Sequence, residues 1–128
     1  MAAAVAAVFL ALLGWLAGEP PRIPQDVLLA AIEKGNAPRI LDVRTTREYV
    51  ASHVPGAIHV PYHELWLRRA AIRAAEDSLI VVYCSHGLRA GMAKLQLWML
   101  GYDNVAYLQG QMSAWQRRSL PVEARDVP

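Results

Sequence analysis

One cysteine occurs in the chain, and it stands in the string Tyr83-Cys84-Ser85-His86-Gly87-Leu88-Arg89. A thiolate is the reactive form of cysteine, and backbone N–H groups, a helix N-terminus or a nearby cation enlarge its share at neutral pH. By count alone a free cysteine reads as an inert buried thiol. Its position reverses that reading. Cys84 directly follows Leu79-Ile80-Val81-Val82-Tyr83, an apolar run without alternation, the pattern of a strand covered on both faces in a parallel sheet. Open parallel sheets bind ligands at the carboxyl ends of their strands. A loop curling there into a helix aims successive N–H groups at one point, and the helix adds its partial positive charge. Arg89 supplies a cation, and Gly87 admits backbone angles closed to other residues. The expectation is a Cys84 nucleophile, ionised and open to water, that needs no separate general base.

The surrounding elements must present that loop. Gln25, Val27, Leu28, Ala31 and Ile32 form an amphipathic helix ending at Lys34-Gly35. Ile40-Leu41-Asp42-Val43 reads as a buried strand, and Thr45 with Glu48 has capping-box spacing for a short helix through Val50. Ile58-His59-Val60 is a brief strand stopped by Pro61. Glu64 to Ala75, rich in Ala, Leu and Arg, predicts one surface helix with a solvated arginine face. Ala90 to Leu100 is helical up to Gly101, Val105-Ala106-Tyr107-Leu108 is a strand, and Met112 to Arg118 is the last helix. Strands alternating with helices make an α/β domain with a mainly parallel sheet. Trp66, Trp98 and Trp115 read as core or rim packing. His59 and His63 have i, i+4 spacing, but Pro61 between them argues against a shared helical face, so no metal site is expected.

At 128 residues the chain has room for one core, and 55% hydrophobic against 19% charged residues argues against disorder. A net charge of +2 with no basic run argues against nucleic acid as a partner. Residues 1–18 carry no charged side chain, and Glu19-Pro20-Pro21-Arg22 ends the run, leaving 19–128 as the domain. As a helix those residues would span about 27 Å, close to the thickness of a bilayer. They read as a signal peptide or membrane anchor, with a non-native extension or a core helix as the alternative. The expected location is membrane-associated or periplasmic, or cytoplasmic on an N-terminal anchor, because Arg22, Lys34 and Arg39 follow the segment.

From about Ile23 to Val122 the chain resembles a single-domain rhodanese. Leu41-Asp42-Val43-Arg44 with Glu48-Tyr49 is similar to the first strand and helix of that family, and His53-Val54-Pro55-Gly56-Ala57 to its His-(Ile/Val)-Pro-Gly-Ala signature. Cys84-x-x-Gly87-x-Arg89 resembles the active-site loop, and Leu108-Gln109-Gly110-Gln111 through Trp115 the C-terminal Leu-x-Gly-Gly-x-x-x-Trp pattern. The resemblance implies a mainly parallel five-stranded sheet with helices on both faces. Ser52, Gln111 and Ser119 stand where the family commonly has glycine, departures expected to affect turns and not the nucleophile. Ser85 and Leu88 occupy loop positions that are often basic in thiosulfate-using members, which leaves His86 and Arg89 as the potential cations.

The implied activity is sulfur transfer without a cofactor, from a small donor such as thiosulfate to a thiol, a protein acceptor or cyanide, through a Cys84 persulfide. Cys84 would be catalytic, Ser85, His86, Gly87, Leu88 and Arg89 would bind substrate, and Asp42, Arg44 and His53 would brace the site. The rivals are a persulfide carrier or binding module without thiosulfate turnover, and a phosphatase or arsenate reductase. The last two use a Cys-x5-Arg loop, one residue longer than the interval between Cys84 and Arg89.

Overall fold

A computed structural model describes residues 21–125. The elements are β1 (Arg22–Ile23), α1 (Gln25–Glu33), β2 (Arg39–Asp42), α2 (Thr46–Ala51), β3 (Ile58–His59), a 3₁₀ turn (Tyr62–Glu64), α3 (Arg69–Ile72), β4 (Ile80–Tyr83), α4 (Leu88–Met99), β5 (Val105–Leu108) and α5 (Gln111–Arg117). The strands form one sheet in the order β1-β5-β4-β2-β3, every pair parallel. This is the expected α/β architecture. The expected signal peptide or anchor, residues 1–18, lies outside the described residues. Among the described residues no helix is long and apolar enough to cross a membrane.

All four residues of β4 are buried because the strand is covered twice. Ile80 and Val82 face a core closed by Leu65, Ile72 and the α4 residues Ala90, Ala93 and Leu97. Val81 and Tyr83 face a second core closed by Leu28 of α1 and by Met112 and Trp115 of α5. Each large apolar side chain removed from water contributes roughly 1.5–3 kcal/mol, and the two cores together fix β4 at the centre. Cys84, the first residue beyond it, is therefore held by the most buried strand. Trp115 is fully buried, with its indole N–H donating to the Pro121 carbonyl at 2.9 Å, whereas Trp66 and Trp98 are about half exposed and belong to the rim.

Two elements differ from the sequence expectation. The single helix expected over Glu64 to Ala75 is instead a 3₁₀ turn followed by one turn of α-helix, which ends at Arg73 in the left-handed region (φ 52°). Helix propensity favours continuity here, but only Leu65 and Ile72 reach full burial, while Leu67 is 88% exposed. Few contacts reward a longer helix, and the Arg73 carbonyl instead accepts a hydrogen bond from Arg39 Nη2 at 2.7 Å. The second difference is β1, two residues long and lacking a periodic signal. It exists because β5 has a free edge: Tyr107 N–H donates to the Pro21 carbonyl and Gln109 N–H to the Ile23 carbonyl.

Candidate active site

The loop Cys84-Ser85-His86-Gly87 joins the carboxyl end of β4 to the N-terminus of α4. Gly87 caps that helix with φ 117°, a conformation that L side chains adopt only under strain. In this conformation its N–H donates to Cys84 Sγ at 3.0 Å. The sulfur thus lies under the first turn of a twelve-residue helix, where an anion is favoured. The sequence expectation of a sulfur open to water is not met: Cys84 is 1% exposed and belongs to the α4-side core with Val43 and Ala90. The loop folds the thiol inward to accept the Gly87 hydrogen bond, and His86 and Leu88, rather than Cys84, stand exposed.

Arg89, in the first turn of α4, is engaged by a residue the sequence reading used only as a helix cap. Nη1 and Nη2 donate to the two carboxylate oxygens of Glu48 at 2.6 and 3.0 Å, and Nη2 also reaches Ser85 Oγ at 3.1 Å. Ser85 Oγ in turn donates to Glu48 Oε2 at 2.8 Å. Glu48 is fixed in place by the capping box of α2: its N–H donates to Thr45 Oγ1, while its carboxylate accepts from the Thr45 backbone N–H and hydroxyl. The Arg89 guanidinium holds the Glu48 carboxyl well below the usual carboxylate range, burial opposes this, and the Ser85 and Thr45 hydrogen bonds assist. Glu48 correspondingly raises the Arg89 pKa against burial, and Cys84 adds a smaller attraction of its own. The charge of Arg89 is therefore shared between a carboxylate and the sulfur.

Asp42, Arg44 and His53 surround the site from below. Asp42 is fully buried at the end of β2, paired in register with Tyr83. Its carboxylate accepts from Arg44 Nε and Nη2, from the Arg44 backbone N–H, and from the Tyr83 hydroxyl at 2.7 Å. Burial, followed by the Asp42 charge, pushes the Tyr83 phenol far up, so it remains a donor. Arg44 Nη2 continues to the Ser52 carbonyl at 2.6 Å, and the Tyr83 hydroxyl accepts the Val54 N–H. His53 Nδ1–H donates to the Tyr49 carbonyl, its ring stacks on Tyr49, and its backbone pairs with Glu123. None of these contacts reaches the sulfur; they tie the β2, α2 and β3 connections to the end of β4. His59 Nε2–H donates to the Arg44 carbonyl, so that nitrogen carries a proton and offers no lone pair.

On its other side the loop is gripped by α5. The Met112 and Ser113 N–H groups donate to the carbonyls of Cys84 and Ser85, and Gln111 Oε1 accepts the Cys84 N–H at 2.9 Å. An open cleft of about 300 Å³ adjoins this corner, lined by Arg22, His86, Gly87, Tyr107, Gly110 and Gln111. Sequence reading missed Arg22, Glu48, Tyr107 and Gln111. Glu48 had a signal in its spacing from Thr45, whereas the other three come together only through the β1–β5 pairing and the turn after β5.

A family model for the rhodanese-like domain matches residues 24–118. The chain belongs to this family. It is 34% identical over 85 residues to a sulfurtransferase of Allochromatium vinosum, an overlap of 66% of this chain and 78% of that protein. It is 32% identical over 103 residues to a thiosulfate sulfurtransferase of Pseudomonas fluorescens, covering 80% and 89% of the two chains. Among solved structures, the Alr3790 protein from Anabaena sp. matches with a TM-score of 0.72 at 29% identity, over 82% of this chain and 94% of that one. The family and its two sulfurtransferase relatives support sulfur transfer in general for this chain.

Within the rhodanese-like frame, two of the three glycine departures keep the conformation that glycine favours. Gln111 has φ 58° and Ser119 φ 51°. Ser52 is different, with an extended backbone (φ −169°) that any residue adopts. Gln111 also corrects the expectation that these departures leave the nucleophile untouched, because its side chain is bonded to the peptide of Cys84.

Proposed function

We propose that this rhodanese-like domain is a sulfurtransferase that carries a sulfane sulfur on Cys84, with thiosulfate as a competent donor and a thiol or cyanide as acceptor. The observation that carries the reading is the Gly87 N–H donating to Cys84 Sγ at 3.0 Å beneath the N-terminus of α4. In the first step the Cys84 thiolate attacks the outer sulfur of thiosulfate. A new S–S bond forms, the original one breaks, and sulfite leaves with its electron pair. The persulfide anion left on Cys84 keeps the helix terminus and the loop as its electrostatic support. In the second step the acceptor thiolate or cyanide attacks the outer sulfur and departs as a persulfide or thiocyanate, returning Cys84 as thiolate. The loop N–H groups and Arg89 balance the negative charge, Ser85 links Arg89 to Glu48, and His86 and Gly87 line the cleft that adjoins the loop.

The arrangement of Arg89 supports sulfur over phosphate as the cargo. Three of the five guanidinium N–H donors already serve Glu48 and Ser85, so a phosphate or arsenate dianion would have to share Arg89 with a neighbouring carboxylate that repels it. Mass spectrometry of purified protein after exposure to thiosulfate tests the proposal. The expected result is a gain of about 32 Da on the wild type and none on Cys84→Ser. A wild type left unmodified by thiosulfate and by organic persulfide donors would reject it, and turnover of a generic phosphoester by that protein would favour the phosphatase reading.

A further inference from the structure

Gln111 occupies a position where a left-handed backbone favours glycine, yet it carries a long side chain, and the residue as a whole is 6% exposed. The orientation of its amide is fixed by chemistry: the Cys84 N–H is a donor, so the atom 2.9 Å from it must be the carbonyl oxygen. The same side chain lies over the loop residue that supports the sulfur. A Cβ placed on Gly87 would sit 3.8 to 3.9 Å from Cγ, Cδ and Nε2 of Gln111. Gln111 therefore bonds the loop at the peptide of Cys84 and lies next to the residue that donates to Sγ. With the Met112 and Ser113 N–H groups on the carbonyls of Cys84 and Ser85, it completes a three-point grip.

We propose that Gln111 is a positioning residue for Cys84, acting through the Cys84 peptide and the Gly87 N–H rather than through contact with the substrate. The proposal rests on the reading of Cys84 as the sulfur-carrying nucleophile. Without the Gln111 acceptor, the Cys84 N–H is left unpaired at a buried site, and the Tyr83–Cys84 peptide is held only by the Val43 N–H on its carbonyl, so it can tilt toward another partner. Rotation moves Sγ off the Gly87 N–H and weakens the support of the thiolate. The side chain also forms a wall of the cleft, so its volume and its acceptor oxygen have to be separated experimentally.

Gln111→Met keeps the volume and removes the acceptor, whereas Gln111→Glu keeps the acceptor and adds a negative charge. Gln111→Gly removes the acceptor while relieving the left-handed strain, and serves as the variant most able to fold. The measurement is the rate of Cys84 alkylation by iodoacetamide as a function of pH on each full-length protein, alongside the mass gain from thiosulfate. In Gln111→Met and Gln111→Gly, alkylation at neutral pH is expected to slow about tenfold, with the midpoint of the pH profile moved upward. In Gln111→Glu the midpoint also moves upward, because a carboxylate opposes the thiolate, but the plateau rate at high pH stays within about twofold of wild type. A merely space-filling residue predicts wild-type profiles for Met, and that result would overturn the proposal, as would a wild-type profile in folded Gln111→Gly. The two readings fail separately. A wild type that never gains sulfur rejects the transferase, while the alkylation profiles still decide whether Gln111 positions Cys84.

Discussion

At the scale of single residues, the site is governed by how each charge is divided. Arg89 is not a free cation waiting for a donor but the centre of a clamp joining Glu48 and Ser85 beside the Cys84 loop. Replacing Glu48 by Gln should release the guanidinium from its ion pair and loosen Ser85, while the amide oxygen can still accept the Thr45 N–H of the α2 capping box. The folded-state pKa of Glu48 is depressed, so its ion pair stabilises the fold above the ordinary carboxylate value of about 4.3 and is lost as the pH falls toward the lower folded value. Urea denaturation of wild type and Glu48→Gln from pH 7 to 3 should therefore show the variant less stable at neutral pH, with the difference shrinking below about pH 4. A pH-independent difference would assign the loss to the hydrogen-bond geometry around Glu48 rather than to the charge of the ion pair. Glu48 was legible in the sequence as a helix cap because that role depends on a neighbour three residues away. Its bond to Arg89 spans 41 positions and left no local trace.

At the scale of elements, the turns after β4 and β5 and the end of α5 decide what surrounds Cys84. Gly110, with φ 74°, could not carry a side chain: a Cβ there would lie 2.5 Å from that of Ala114. Gly110 thus starts α5 at the angle that sends its first N–H groups to the Cys84 loop. At the other end of α5, Ser119 takes the left-handed position of a Schellman cap, with its N–H donating to the Gln116 carbonyl and Leu120 N–H to that of Trp115. The serine is exposed and its side chain gains little from that backbone. Ser119→Gly is expected to stabilise the protein by about 0.5–1 kcal/mol, read as a rise in the urea midpoint with unchanged slope. A drop in the midpoint would mean that the serine hydroxyl contributes more than the strain costs. Sequence pattern located both turns, through Gly110 and through Leu120-Pro121, but spacing alone did not tell which substituted glycine position would reach the Cys84 peptide.

For the whole molecule, the sheet order β1-β5-β4-β2-β3 makes stability unequal across the fold. β4 and β2 share four register pairs between the two cores, whereas β1 is two residues at the edge. Native-state hydrogen exchange should find the β2 and β4 amides protected to the level of global unfolding, and the β1–β5 bonds opening at much lower cost. Equal protection of Tyr107 and Val82 would contradict this gradient. The gradient matters for the site because Cys84 is anchored to the stable centre, while the cleft wall of Arg22 and Tyr107 belongs to the weaker edge.

The sequence by itself determined the α/β architecture, the central place of Ile80–Tyr83, the loop that bears Cys84 and the family. These follow from local periodicity, from capping and turn chemistry, and from short motifs whose meaning is contained in neighbouring residues. Tertiary structure alone decided that the thiol is folded inward onto Gly87, that Glu48 holds Arg89, that Gln111 holds the Cys84 peptide, and that the segment after β3 breaks into two short turns. The Glu48–Arg89 and Gln111–Cys84 bonds join groups far apart in the chain that meet only when the parallel strands align their carboxyl ends, and the burial of the thiol depends on the core packed around it. There the strength of a hydrogen bond or ion pair is set by burial and by distance in space, neither of which is written in the order of residues.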